Sequence, residues 1–255
     1  MEGFVEKEVS MDGIAEIRFY HPNHNALPSN LLLELEKKIL ECKTDDGVKV
    51  LLLKSEGDRT FCAGADFEEL MSISDEETGK SFFMGFARVI NALRNCGKIT
   101  IAQVQGKAVG GGVGICAAVD YAIASKWASV RLSELGLGIG PFVIGPAVER
   151  KIGLAHFSYL TLNAEEWQTA KWAQGCGLFQ EVFDDKIQLE AYVKTFVQRF
   201  TTYHPEALKE IKAMLWRNTD SWTELLAERA VVSGRLVNTA YVKQAIERFK
   251  MHQKK

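Results

Sequence analysis

Three adjacent glycines, Gly110, Gly111 and Gly112, constrain this chain more than any other feature. Glycine loses more backbone freedom on folding than any other residue, so such a run persists where a tight turn or a close backbone approach demands it. The triplet follows the apolar run Ile99-Thr-Ile-Ala-Gln-Val-Gln105, which reads as a buried strand. A second strand-like run, Val48-Lys-Val-Leu-Leu-Leu-Lys54, precedes another small-residue turn, Phe61-Cys-Ala-Gly-Ala-Asp66. Helical patterns follow both turns. Two strand ends of this kind can aim two backbone N–H groups at one point. That arrangement is an oxyanion hole, and it implies chemistry at a carbonyl.

The remaining pattern supplies a frame for these turns. Phe4 to Tyr20 alternates in hydropathy around Asp12-Gly13, a hairpin signal. Pro28-Ser-Asn30 opens a helix whose Leu31, Leu32, Leu35 and Ile39 form one stripe. Ser72 to Lys80 reads as a mobile surface loop, and a helix is expected from Ser81 to Arg94. Strands are expected at Asp120–Ser125, Ala128–Ser133 and Gly177–Phe183, and a helical pattern broken near Gly153 and Asn163 from Pro146 to Trp172. Beyond Lys186 the pattern is helical. This alternation predicts an α/β fold with a mostly parallel sheet, helices on its faces and a helical tail.

Bulk properties exclude several classes. With 255 residues the chain can form one large domain, or a core with a small appendage. A net charge of −2 and the lack of a long basic run argue against a nucleic-acid or anionic-membrane partner. The five cysteines are scattered, with neither CxxC nor Cys/His metal spacing, so a disulfide framework or zinc site is not expected. The N-terminus lacks an apolar signal core and no run reaches membrane-span length. A cytoplasmic enzyme is the expectation. A dinucleotide-binding loop fails on position and spacing, and a phosphate-binding P-loop fails because no Gly-Lys-Ser/Thr follows.

Taken together, the motifs resemble those of the enoyl-CoA hydratase/isomerase (crotonase) superfamily. The resemblance runs through Pro22-Asn-His-Asn-Ala-Leu27, Phe61-Cys-Ala-Gly-Ala-Asp66, Gly106-Lys-Ala-Val-Gly-Gly-Gly112 and Asp120-Tyr-Ala-Ile-Ala-Ser125. It continues into Leu132-Ser-Glu134, Arg150-Lys-Ile-Gly153 and Gly177-Leu-Phe-Gln-Glu-Val182. Each piece is modest, and their order and spacing are highly specific. The resemblance implies a ββα-spiral core over residues 1–200 and a helical trimerisation region over 201–255, assembled as a homotrimer or a dimer of trimers. It implies an acyl-CoA substrate and no metal or other cofactor, because CoA arrives with the substrate. It assigns the oxyanion-hole donors to the Ala65 and Gly111 N–H groups. It places Asn25, Ala26, Leu27, Ala63, Asp66, Gly110 and Phe142 around the substrate. For Asp66, which opens a helix, an N-cap is the competing role.

Acids decide the reaction. Hydratases of this family carry two glutamates, one two positions past the glycine triplet and one about twenty residues later. Here the first position is Gly114 and the second is Glu134. Hydration needs a group to activate water and a proton donor at the other carbon, whereas moving a double bond needs one base. A lone Glu134 and the segment Leu137-Gly-Ile-Gly-Pro-Phe142 resemble the Δ3,Δ2-enoyl-CoA isomerase branch. A hydratase, for instance of a methylglutaconyl thioester, and an inactive CoA-thioester binder remain alternatives. If Glu134 is buried against Phe142 and Val143, its pKa should rise toward neutrality. Glu68 and Glu69 read as an exposed helix face, His21 and His24 as surface residues, and Trp167, Trp172, Trp216 and Trp222 as packing residues. Phe249 and Lys250 are candidates for contact with a neighbouring subunit's CoA.

Overall fold

The computed structural model describes residues 2–253; the side chains of Phe249 and Lys250 lie outside the described residues. The expected hairpin forms from β1 (Phe4–Val9) and β2 (Ile14–Tyr20), which pair antiparallel with Phe4 opposite Tyr20. Gly13 closes the turn at φ +90°, a left-handed conformation that suits glycine. Next come α1 (Ser29–Thr44), β3 (Val50–Ser55), β4 (Thr60–Cys62), α2 (Phe67–Ser72), α3 (Glu76–Asn95), β5 (Ile99–Val104), β6 (Lys107–Val109) and α4 (Gly111–Ala118). They are followed by β7 (Tyr121–Ser125), β8 (Ser129–Arg131), a 3₁₀ turn (Leu135–Leu137), α5 (Gly145–Leu162), β9 (Gln168–Thr169), α6 (Ala170–Gly175) and β10 (Glu181–Phe183). Four helices complete the chain: α7 (Lys186–Phe200), α8 (Pro205–Leu215), α9 (Trp222–Val237) and α10 (Ala240–Gln253).

The main sheet has the order β1-β2-β3-β5-β7-β10 and is parallel from β2 onward. Its middle strands are mainly apolar because both faces are covered. Leu51 and Leu53 of β3 join a core with Leu32, Leu35, Ile90 and Leu93 of α1 and α3. Val50 and Leu52 face the other way, onto Leu189 and Val193 of α7. A smaller sheet, β4-β6-β8-β9, stands beside the first.

Two expectations are corrected. The segment after Ser72 is mostly helix: Asp75 accepts the Thr78 N–H at 2.8 Å while the Thr78 hydroxyl oxygen accepts the Asp75 N–H, a capping box that starts α3 at Glu76. The helical pattern breaks at Gly153 (φ +76°) and Asn163 as expected, but Gln168–Thr169 is a strand that pairs antiparallel with β8 and separates α5 from α6.

The C-terminal helices pack onto the core. Gly79 of α3 and Gly234 of α9 approach so closely that a Cβ on Gly79 would lie 2.8 Å from the Gly234 Cα. Buried Lys212 and Trp216 reach Asp120 from α8 and its C-terminal end: Lys212 Nζ donates to Asp120 Oδ2 and Trp216 Nε1 to Oδ1, each at 2.7 Å.

Candidate active site

The small sheet brings the two glycine turns together. β4 and β6 run parallel with Cys62 beside Ala108, so both strands deliver their following turns to the same end. Gly64, at φ +85°, sits so close to the second turn that a Cβ would lie 2.8 Å from Val109 O and 3.2 Å from Gly111 N. Leu27 N–H donates to Gly64 O at 2.8 Å and fixes the first turn from behind. A side chain at Gly111 would overlap the ring of Phe86, and one at Gly112 would overlap the Cys62 carbonyl. The triplet is therefore a close-packing requirement as well as a turn. Gly111 is the first residue of α4, so its N–H has no intrahelical acceptor. The helix end adds a partial positive charge at the same place.

Glu134 reaches this point from the neighbouring strand. β8 pairs with β6, placing Val109 beside Arg131, and Gly110 N–H donates to Arg131 O at 2.9 Å. The chain then turns: Leu137 N–H and Ile139 N–H both donate to Glu134 O. A Cβ on Gly110 would lie 2.9 Å from Glu134 Oε1, so the glycine leaves room for the carboxylate over the start of α4. Oε2 is fully buried with no hydrogen-bond partner. Burial pushes the Glu134 pKa up to about 7; its own backbone N–H and the Arg131 charge pull the other way.

A cavity of ≈ 70 Å³ opens at these groups. Its wall includes Ala63, Ala65, Gly110, Gly111, Glu134 and Phe142, with Val143 beside Phe142. Asn25, Ala26, Leu27 and Asp66 do not line it. Asn25 is committed to the backbone, accepting from His21 N–H and donating to Glu56 O and Thr60 O. Ala26 and Leu27 are buried behind the first turn. Asp66 caps α2 by accepting the Glu68 and Glu69 N–H groups at 3.0 Å. Glu68 is exposed, whereas Glu69 accepts the Ser29 N–H at 2.7 Å and ties α2 to the start of α1. His24 is exposed, and His21 is half-buried with its Nδ1 enclosed.

Sequence reasoning missed several neighbours. A Cβ at Gly114 would lie 2.5 Å from Ile144 Cγ2, so Ile144 occupies the space where a side chain at position 114 would go. Ser233 arrives from α9, nearly a hundred residues after Glu134, and no local pattern marks it. Trp216 and Trp222 pack edge-to-face as expected, but Trp167 is 37% exposed and carries two cations on its ring. Among the described residues, no helix is long and apolar enough to cross a membrane and no group of His, Cys, Asp or Glu is arranged to hold a metal.

Parallel strands that deliver two glycine turns to one carboxylate, with helices on both faces of the main sheet, define the α/β class of this fold. The enoyl-CoA hydratase/isomerase family profile matches residues 10–255, and the chain belongs to that family. A Bacillus subtilis protein described as a probable enoyl-CoA hydratase is 30% identical over 206 residues, covering 80% of this chain and 79% of its own. The mitochondrial methylglutaconyl-CoA hydratase of Homo sapiens is 30% identical over 227 residues, covering 88% of this chain and 66% of the other. The crystal structure of a Legionella pneumophila protein described as a putative enoyl-CoA hydratase/isomerase (crotonase) superposes with a TM-score of 0.79 at 31% identity, covering 86% of this chain and 84% of that one. Other relatives are named as a dienoyl-CoA isomerase, decarboxylases and a dehalogenase, so similarity alone does not select the reaction. Hydratases and isomerases of this family need no cofactor besides the CoA substrate.

Proposed function

We propose that this protein shifts the double bond of an acyl-CoA thioester, converting a 3-enoyl-CoA to a 2-enoyl-CoA. In this reading the Ala65 and Gly111 N–H groups hold the thioester oxygen as it gains negative charge. Glu134 removes a proton from C2, and the resulting dienolate is reprotonated at C4 by the same carboxyl group. Losing one oxyanion donor in such a site typically costs about a hundred- to a thousandfold in rate. The observation that carries the proposal is the single carboxylate on the cavity wall, with Ile144 filling the space beside Gly114. One base suffices for a 1,3-proton shift, and a pKa near neutrality suits a base that must also return the proton. Gly110, Ala63 and Phe142 shape the acyl site, while Asn25, Ala26, Leu27 and Asp66 support the first turn from behind.

Hydration of a 2-enoyl-CoA is the second reading, favoured by the hydratase names of the Bacillus subtilis and Homo sapiens relatives. Incubation with each thioester, followed by mass and retention time, separates the two. Unchanged mass with a moved double bond, lost in Glu134→Gln, supports isomerisation. Addition of one water to the 2-enoyl substrate supports hydration. No turnover of either thioester by the unmodified protein sinks both.

We further propose a homotrimer or dimer of trimers in the cytoplasm, with residues 1–200 as the acyl-CoA core and residues 201–255 as the oligomerising region. Leu154 and Leu162 of α5, 65% and 72% exposed, support a surface covered by another copy and add α5 to that region. No nucleic-acid or membrane partner is part of this reading.

A further inference from the structure

The cavity wall draws on two separate hydrophobic clusters. Phe86, Val143 and Ile144 belong to the main core. Leu70, Leu137 and Ile139 belong instead to a satellite cluster that α10 completes with Val242 and Ile246. Both α10 side chains are buried, and neither reaches the cavity. They lie behind the wall. At the middle of the turn between Leu137 and Ile139, Gly138 has φ +81°, and a Cβ on it would lie 2.7 Å from the Tyr241 ring and 3.2 Å from Val242 Cγ2. The start of α10 is thus seated directly on that turn. The same turn hangs from the carboxylate residue, because Leu137 N–H and Ile139 N–H both donate to Glu134 O. Its side chains face the cavity while its glycine is covered by α10. Glu134 is the one charged side chain on the wall among the described residues, and the Ser233 hydroxyl is turned to Arg229 O. Leu70, Leu137 and Ile139 offer hydrocarbon only.

We propose that Leu70, Leu137 and Ile139 receive the hydrocarbon tail of the acyl group beyond the reacting carbons, and that Val242 and Ile246 of α10 set the length admitted by backing those side chains. The inference rests on the reading of this cavity as the acyl-CoA site. In that reading the thioester oxygen is held at the glycine turns and Glu134 reaches C2 and C4, so every carbon beyond C4 must be seated against another part of the wall. Phe86, Val143 and Ile144 are packed into the main core, which does not yield at native density. Leu137 and Ile139 rest on the smaller cluster, and they can retreat only as far as Val242 and Ile246 allow. The two α10 residues are therefore positioning residues: they act on chain length through the wall, without touching substrate. Shortening either one opens space behind the wall into which it can settle.

The test is kcat/KM for straight-chain enoyl-CoA thioesters of six to twelve carbons, with the double bond at whichever position is turned over. The full chain is compared with Val242→Ala, Ile246→Ala and Ile246→Val. Leu208→Ala serves as a packing control, since Leu208 lies in the cluster beneath α7 on the other face of the sheet. In the two α10 alanine variants the ratio of kcat/KM for the twelve-carbon to the six-carbon thioester should rise roughly tenfold, the low end of what one methylene is worth in an apolar pocket. Their kcat for the six-carbon thioester should stay within about twofold, because the glycine turns and Glu134 are untouched. Leu208→Ala should leave the ratio where it was. An unmoved ratio in the α10 variants overturns the inference. So does a uniform loss at every chain length, or a ratio raised as much by Leu208→Ala. If the alanine variants do not fold, Ile246→Val decides: the ratio should still rise, and no rise overturns the inference. Absence of turnover by the unmodified protein at every length defeats the acyl-CoA reading itself. Turnover with the same length profile in all variants defeats only the role of α10.

Discussion

Glu134 serves two opposed demands. Catalysis wants a carboxylate in a dry site, and folding disfavours burying one. The raised pKa records that conflict and gives a stability test. Its carboxyl titrates near 4.5 when unperturbed and near 7 in the fold, so the folded state prefers the protonated form. The penalty appears as pH rises past the unfolded value and is complete above the folded one. Glu134→Gln should therefore abolish turnover and stabilise the protein by on the order of 3 kcal/mol at pH 8, with almost no gain at pH 4. Urea midpoints at the two pH values check this; equal shifts at both would contradict the burial account. A second test concerns Gly114. Because Ile144 fills the adjacent space, Gly114→Glu alone should overpack the site, lose roughly 1–3 kcal/mol and gain no hydration. Gly114→Glu with Ile144→Ala makes room, and water addition to a 2-enoyl-CoA should then increase. A hydration gain in the single variant would show that Ile144 does not block that position.

At the scale of elements, the turns depend on strands and the strands on buried pairings. Asp120 joins β5, the start of β7 and α8 in one network: its Oδ2 accepts from Thr100 N–H, the Thr100 hydroxyl and Lys212 Nζ, and its Oδ1 from Trp216 Nε1. Lys212 is 2% exposed, so removing its partner leaves an uncompensated charge. Asp120→Ala should lower stability by roughly 3–5 kcal/mol in urea unfolding, whereas a surface ion pair such as Lys37–Glu34 should change it by less than about 1 kcal/mol. Comparable effects at the two sites would refute the network's importance. Element boundaries were legible where capping chemistry is local. Asp66 reads as an N-cap in the sequence and acts as one. Asp75 and Thr78 form an equally local signal, but the polar run around them reads as a loop unless the reciprocal bonds are recognised.

At the scale of the molecule, the cavity is built from distant segments. Residues 63–86 form one wall, Val109, Gly110, Gly111 and the 133–144 segment another, and Ser233 closes it from α9. The Gly79–Gly234 approach seats α9 on α3. The helical region after residue 200 is thus part of the site as well as a candidate for oligomer contacts. Replacing Leu154 and Leu162 together by Glu should convert an oligomer to monomer in analytical ultracentrifugation. Oligomers of unchanged mass would remove this face from the interface.

The sequence alone determined the alternation of strands and helices, the two small-residue turns and the single acid on the 132–142 segment. Those features are written in local periodicity and in residue types that tolerate few backbone states. The assignment of Glu134, Ala65 and Gly111 to one place was implied by the resemblance to the enoyl-CoA hydratase/isomerase superfamily. Only the tertiary structure decided what surrounds them. Ile144 against Gly114, Phe86 against Gly111, the enclosed Glu134 Oε2 and the Arg131–Trp167 stack are contacts between elements. The same holds for Asn25, whose amide is consumed by the backbone carbonyls of Glu56 and Thr60. Burial and electrostatic coupling depend on what packs across a gap, and one-dimensional patterns of hydropathy and turn chemistry do not encode that.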